Sequence, residues 1–186
     1  DALNIALKDF INSIKGEDTA VDIKIALFSF GENEARCELP LTSVDEIDPD
    51  LYNFSARGRT PMGQVFKLIK DMIEDKAIVS SRSYKPTLVL LTDGIPTDDY
   101  KEPMTNLINE GRSSKSFRIA MAIGDDADKN MLAAFVSSPE LLVSGDSARD
   151  IKKFFRFVTM SVTSRMKSQT PDTPPIVEFP NDEIVL

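Results

Sequence analysis

Histidine is absent from the 186 residues. Without an imidazole there is no histidine general acid or base, no Ser-His-Asp triad and no histidine-ligated zinc. Cysteine occurs once, at Cys37, which excludes an internal disulfide and a CxxC redox pair. That residue is expected to pack as a small apolar group. Long apolar runs are missing too: none approaches the roughly 20 residues of a membrane span, and no signal-peptide pattern opens the chain. A cytoplasmic protein without a membrane partner is the expectation. Basic residues are in deficit, 22 against 30 acidic, for a net charge of −8. Nucleic-acid backbones select basic surfaces, so no nucleic-acid partner is expected.

What remains is an ordinary globular composition, 41% apolar and 28% charged, with enough length for one domain and a sizeable core. Leu3, Leu7, Phe10 and Ile14 recur at helical spacing and predict a helix from Asp1 to Lys15, with Gly16 as its C-cap. Val21 to Phe30 reads as a strand, Gly31-Glu32-Asn33 as a hairpin turn, and Ala35 to Leu41 as a charged edge strand. Ser43 to Ala56 is a polar loop. Thr87 to Leu91, Arg118 to Gly124 and Leu141 to Ser144 read as further strands. Helices lie between them, and a long one runs from about Ala148 to Arg165 with Ile151, Phe154, Phe155, Val158 and Val162 on its apolar face. The alternation predicts an α/β fold, a mostly parallel central sheet with helices on both faces and one antiparallel edge strand. Ile25 to Phe28, Leu88 to Leu91 and Ile119 to Ala122 are expected among its most buried residues. The domain is expected over residues 1–166. Residues 167–186, with four prolines, read as a tail or linker whose strand-like piece is Ile176 to Phe179.

Two stretches carry candidate chemistry. Lys85 to Tyr100 places Thr92-Asp93-Gly94 directly after a buried strand, and open α/β sheets bind ligands at the carboxyl ends of such strands. The same residues also suit a plain turn. Gly58 to Gly63 precedes a helix whose apolar face holds Met62, Val65, Phe66, Ile69, Met72 and Ile73. There Thr60 suits a helix N-cap with Pro61 at the first helical position. A phosphate loop needs Gly-Lys-Ser/Thr, which Gly63-Gln64-Val65 does not supply. Asp126, Asp128 and Asn130 have the spacing of the first calcium ligands of an EF-hand, but Met131 and Ser137 stand where its glycine and glutamate belong, so no calcium site is expected.

Gly58-Arg59-Thr60-Pro61-Met62-Gly63, Leu90-Leu91-Thr92-Asp93-Gly94 with Pro96-Thr97-Asp98-Asp99, and Gly124-Asp125-Asp126-Ala127-Asp128 follow one another in a familiar order. Over residues 1–165 the chain resembles a von Willebrand factor A (VWA) domain of the bacterial tellurium-resistance type. The resemblance implies a metal-ion-dependent adhesion site. Thr60 would offer a hydroxyl and Asp93 a carboxylate to a divalent cation, usually Mg²⁺, with Asp98, Gly58 and Gly94 as outer-shell or partner-binding positions. It also implies a binding module for a protein partner, engaged through an acidic side chain, in tellurium resistance, stress response or defence. The family's site begins with Asp-x-Ser-x-Ser on a first strand, and this sequence has none: Asp146-Ser147 is followed by Ala148. That strand is therefore expected to be missing from the chain, leaving a cleft with a weak or absent metal site. A segment upstream of Asp1, a partner strand or Ile176 to Phe179 would fill the cleft, the upstream segment being the favoured occupant. Two other readings stay open. One is a Mg²⁺-dependent phosphoryl-transfer enzyme using Asp93, although Ile95 interrupts the Asp-x-Asp-x-Thr nucleophile pattern. The other is a scaffold with a degenerate metal site.

Overall fold

Ala2–Lys15 forms the first helix, α1, and buries Ala6, Leu7, Ile11 and Ile14 along one stripe. The computed structural model describes residues 2–17, 21–55, 58–173 and 179. Strands β1 (Lys24–Gly31) and β2 (Glu34–Ser43) pair antiparallel around a tight turn in which Glu32 takes a φ of 55°. Then follow α2 (Met62–Glu74), β3 (Thr87–Thr92), α3 (Lys101–Asn109), β4 (Phe117–Ile123), α4 (Lys129–Phe135), β5 (Leu142–Gly145) and α5 (Ala148–Lys167). Strands β3, β4 and β5 form a parallel sheet in that order. The architecture is the expected α/β one, although its strands fall into two hydrogen-bonded sets. Among the described residues no ladder joins β1–β2 to β3–β4–β5, so β1 and β3 are each paired along one edge.

Burial follows from that division. Ile119, Ala120, Met121 and Ala122 of β4 are all 0% exposed. Successive strand residues point to opposite faces, so both faces of β4 are covered. Helix α1 packs on α5, with Phe10 and Phe155 ring centroids 5.6 Å apart. Helix α2 packs on α3, and its Phe66 stacks on Phe135 of α4 at 5.6 Å. The expectation for the other two strands needs correction. Leu90 is buried, but Ile25, Leu27, Phe28, Leu88, Val89 and Leu91 are only partly so. These side chains lie on the outer strands of the two sheets, where a neighbouring strand shields one side only. Cys37 is corrected for the same reason: it sits exposed on β2. Of the strand-like piece expected at Ile176 to Phe179, only Phe179 is among the described residues, and its ring lies 5.5 Å from that of Phe157 on α5.

Two arginines secure the amino ends of β3 and β4. Arg165 of α5 donates to the carbonyls of Lys85 and Pro171, each at 3.0 Å, and to the Thr87 hydroxyl, and it lies 5.6 Å from the centroid of the Phe117 ring. Arg118 donates to the carbonyls of Phe135 at 2.7 Å and Ser116 at 2.9 Å.

Glu74, the last residue of α2, tests how firmly α2 is tied to the α3 end. Its carboxylate accepts from the amides of Arg112 at 3.0 Å and Ser113 at 2.9 Å, with Lys70 Nζ 3.5 Å away. Partial burial would raise its pKa, but the Ser113 and Arg112 amides, the Ser113 hydroxyl and Lys70 outweigh that and bring it down to about 2. A depressed carboxylate pKa contributes stability in full above the unfolded value near 4.5, and that contribution fades as pH falls towards 2. Glu74→Gln should therefore cost about 1–2 kcal/mol at neutral pH, a figure kept modest because water still reaches the group. Urea unfolding should show the difference between the two proteins closing by about pH 2. A pH-independent difference would contradict the assignment.

Candidate functional site

The carboxyl end of β3 is shaped by Thr92, which is 3% exposed. Its Oγ1 accepts from the Gly94 N–H at 3.3 Å, which turns the chain out of the sheet. Asp93 is thereby delivered to the surface. Among the described residues its carboxylate has neither a hydrogen bond nor an ion pair. Ile95 follows it at 63% exposure.

The second loop comes in beside it. Gly58, exposed, has a φ of 56°, a left-handed conformation that favours glycine, and it passes the backbone of Glu32 in the β1–β2 turn. Thr60 is 7% exposed. Its N–H donates to Thr97 Oγ1 at 3.1 Å, and its carbonyl accepts from the Thr97 N–H at 2.9 Å. The two loops are thus bonded to each other in both directions. The reading of Thr60 as a helix cap is corrected: α2 begins at Met62, Pro61 holds the cap position, and no side-chain cap bond comes from it. With its amide and carbonyl engaged by Thr97, Thr60 faces the β3 loop, and a Cβ added to Gly94 would lie 2.8 Å from Thr60 Oγ1. That hydroxyl makes no hydrogen bond among the described residues.

The cap comes from across the site. Asp98 Oδ1 accepts from the Gly63 N–H at 2.9 Å and Oδ2 from the Gln64 N–H at 3.1 Å. A carboxylate there satisfies amides that have no partner within the helix and sits at the positive end of its dipole. Gly63 allows the approach, because a Cβ on it would meet the Asp99 carbonyl oxygen at 2.4 Å. Gln64 ties the same turn to the hairpin. Its Nε2 donates to the Asn33 carbonyl at 3.0 Å, and its Oε1 accepts from the Ala35 N–H at 3.2 Å.

The structure therefore brings Thr60 and Asp93 onto adjoining loops, sets Gly94 against Thr60, and gives both Asp98 oxygens to α2. Sequence reasoning missed Thr97 and Gln64 as contact-makers. The only signal for Thr97 was its place beside Asp98 in the Pro96 to Asp99 run. Asp128 is a helix cap, accepting from Asn130 and Met131 amides at 3.1 and 3.0 Å at the start of α4. As a metal centre, Thr60 and Asp93 have suitable chemistry, since hard divalent cations prefer oxygen donors. Yet no group of three or more acidic, histidine or cysteine residues able to hold a metal occurs among the described residues. The pair fits a loosely held ion that keeps most of its waters, and does not fit an all-protein cage.

A family model described as the von Willebrand factor type A domain matches residues 3–157. No curated protein matches the sequence. Solved structures do. Proximal thread matrix protein 1 of the mussel byssus aligns with a TM-score of 0.62 at 20% identity, covering 85% of this chain and 39% of that one. A second structure of that protein, with a zinc-occupied MIDAS motif, aligns at TM-score 0.62 and 19% identity with the same coverage, 85% and 39%. The pilus adhesin SpaC of Lactobacillus rhamnosus GG, in its open conformation, aligns at TM-score 0.68 and 15% identity, over 85% of this chain and 27% of that one. The chain thus spans well under half the length of these proteins, and at such identities the likeness is one of fold.

Proposed function

Because the chain belongs to the von Willebrand factor type A domain family, we propose that it is a binding module, not an enzyme, which captures a protein partner through a divalent cation at the carboxyl edge of its strands. The observation that carries this reading is the Thr60 hydroxyl, which makes no hydrogen bond among the described residues and lies against the loop that presents Asp93, a carboxylate likewise without a partner among them. A hydroxyl oxygen keeps lone pairs that a hard cation can take, and the neighbouring Asp93 carboxylate would share that ion. We assign Mg²⁺ to Thr60 and Asp93. When bound, such an ion keeps open positions at which an acidic side chain of the partner can replace water. The mussel protein with zinc in its motif supports the choice of a divalent ion on this fold. A cytoplasmic, bacterial role in tellurium resistance, stress response or defence is the finer form of the proposal, supported by the likeness of the Gly58–Gly63 and Leu90–Asp99 stretches to that type of domain.

With two protein oxygens, Mg²⁺ should bind weakly, on a millimolar scale that corresponds to about 4 kcal/mol. Mn²⁺, observed by electron paramagnetic resonance, serves as the probe. Asp93→Asn and Thr60→Val should each weaken its binding about tenfold or more. Capture of the partner should be lost in excess chelator and in both variants, with circular dichroism unchanged. Equal Mn²⁺ affinity in wild type and both variants would show that Thr60 and Asp93 are not ligands.

A further inference from the structure

Resting on the assignment of Thr60 and Asp93 as cation ligands, we propose that Thr97 and Asp98 act together as a latch that positions that pair, with Asp98 a positioning residue and not itself a ligand. Thr60 and Asp93 reside on separate loops, and nothing within either loop sets the distance between them. The connection runs through Thr97 and Asp98, four and five residues beyond Asp93 on the same loop. Thr97 holds Thr60 by its amide and its carbonyl, at 3.1 and 2.9 Å. Asp98 holds the first turn of α2 by two amides, at 2.9 and 3.1 Å. Only Pro61 and Met62 separate Thr60 from Gly63, so the four bonds clamp one short segment to the loop that carries Asp93. The clamp is also tight: Gly63 approaches the Asp99 carbonyl, and Gly94 approaches Thr60 Oγ1, closer than any Cβ would permit.

The chemistry of Asp98 separates this role from that of a ligand. Both of its oxygens face amide hydrogens of α2, and a carboxylate so engaged has its strongest acceptor directions in use. Drawing it to a cation would uncap α2 and release the Thr60 segment at the same moment. Its contribution to cation binding is therefore through geometry, as with the groups that orient metal ligands generally.

The test uses Thr97→Val and Asp98→Asn, read by amide hydrogen exchange without metal and by Mn²⁺ titration. Thr97→Val removes the hydroxyl acceptor at nearly constant shape, and Asp98→Asn removes the charge and one of the two acceptors. If the four bonds work as a unit, each variant perturbs the amides held by the other residue. Thr97→Val should speed exchange at Gly63 and Gln64, and Asp98→Asn should speed it at Thr60, each by at least about fivefold, with faster exchange at Asp93 and Gly94 in both. Mn²⁺ affinity should fall about tenfold in either variant. Thr97→Ser, which keeps the acceptor, should restore the wild-type exchange pattern. Exchange confined to the amide bonded by the altered residue would overturn the latch and leave Asp98 an ordinary cap, as would Mn²⁺ affinity unchanged in both variants. A wild-type protein that binds no Mn²⁺ would remove the cation assignment, while the exchange pattern would still decide whether the two loops are coupled.

Discussion

Ile119→Asp should yield no soluble folded protein. Ile119 is 0% exposed in the middle strand of the parallel sheet, opposite Val89 and followed by three more residues at 0%. Removing the side chain forfeits about 1.5–3 kcal/mol of burial. The replacement also buries a carboxylate, which must be either stripped of water or protonated, at a cost of several kcal/mol more. Domains of this size are stable by roughly 5–15 kcal/mol, so the two losses together consume most of the margin. The same change at Leu91, partly buried on β3, should cost less and leave measurable folded protein. Equal solubility and equal far-ultraviolet circular dichroism for Ile119→Asp and wild type would refute the placement of β4 at the centre of the core.

Gly63→Ala should lower the melting temperature by several degrees and weaken Mn²⁺ binding in the same variant. Within most helices that substitution is favourable by about 1 kcal/mol, because alanine restricts the unfolded chain and glycine does not. At Gly63 the sign should reverse. The new Cβ would lie 2.4 Å from the Asp99 carbonyl oxygen and 3.1 Å from Asp98 Oδ2, and the nearer atom belongs to backbone. Either α2 retreats or the loop does, and both movements break the bonds from Asp98 to the Gly63 and Gln64 amides. Overpacking of this kind costs about 1–3 kcal/mol, to which a lost cap adds about 1 kcal/mol. Thermal unfolding decides the matter. A melting temperature at or above that of wild type would mean that α2 and the Asp99 backbone are not in contact.

Local patterns in the chain by themselves determined the order of elements. Leu3, Leu7, Phe10 and Ile14 mark α1 because a helix returns a side chain to the same face every three or four residues. Gly31 to Asn33 marks the hairpin, and the Arg118 to Gly124 run marks β4, because backbone conformation there depends on neighbours in sequence. The positions of Thr60 and Asp93 at loop ends were legible for the same reason, as was the resemblance that their motifs carry. Tertiary structure alone decided how deeply each strand is buried. Val89 and Ile119 belong to equally apolar runs, yet only the latter has a strand on either side, and no local pattern contains that information. It alone decided that Cys37 is exposed, since β2 is an outer strand. It also decided the cap of α2. Thr60 is a good cap by local rules, but its amide and carbonyl are taken by Thr97, and a carboxylate 34 or 35 residues away in sequence supplies the hydrogen bonds instead. A helix end accepts any well-placed acceptor, and the donor of that acceptor is chosen by how the chain packs.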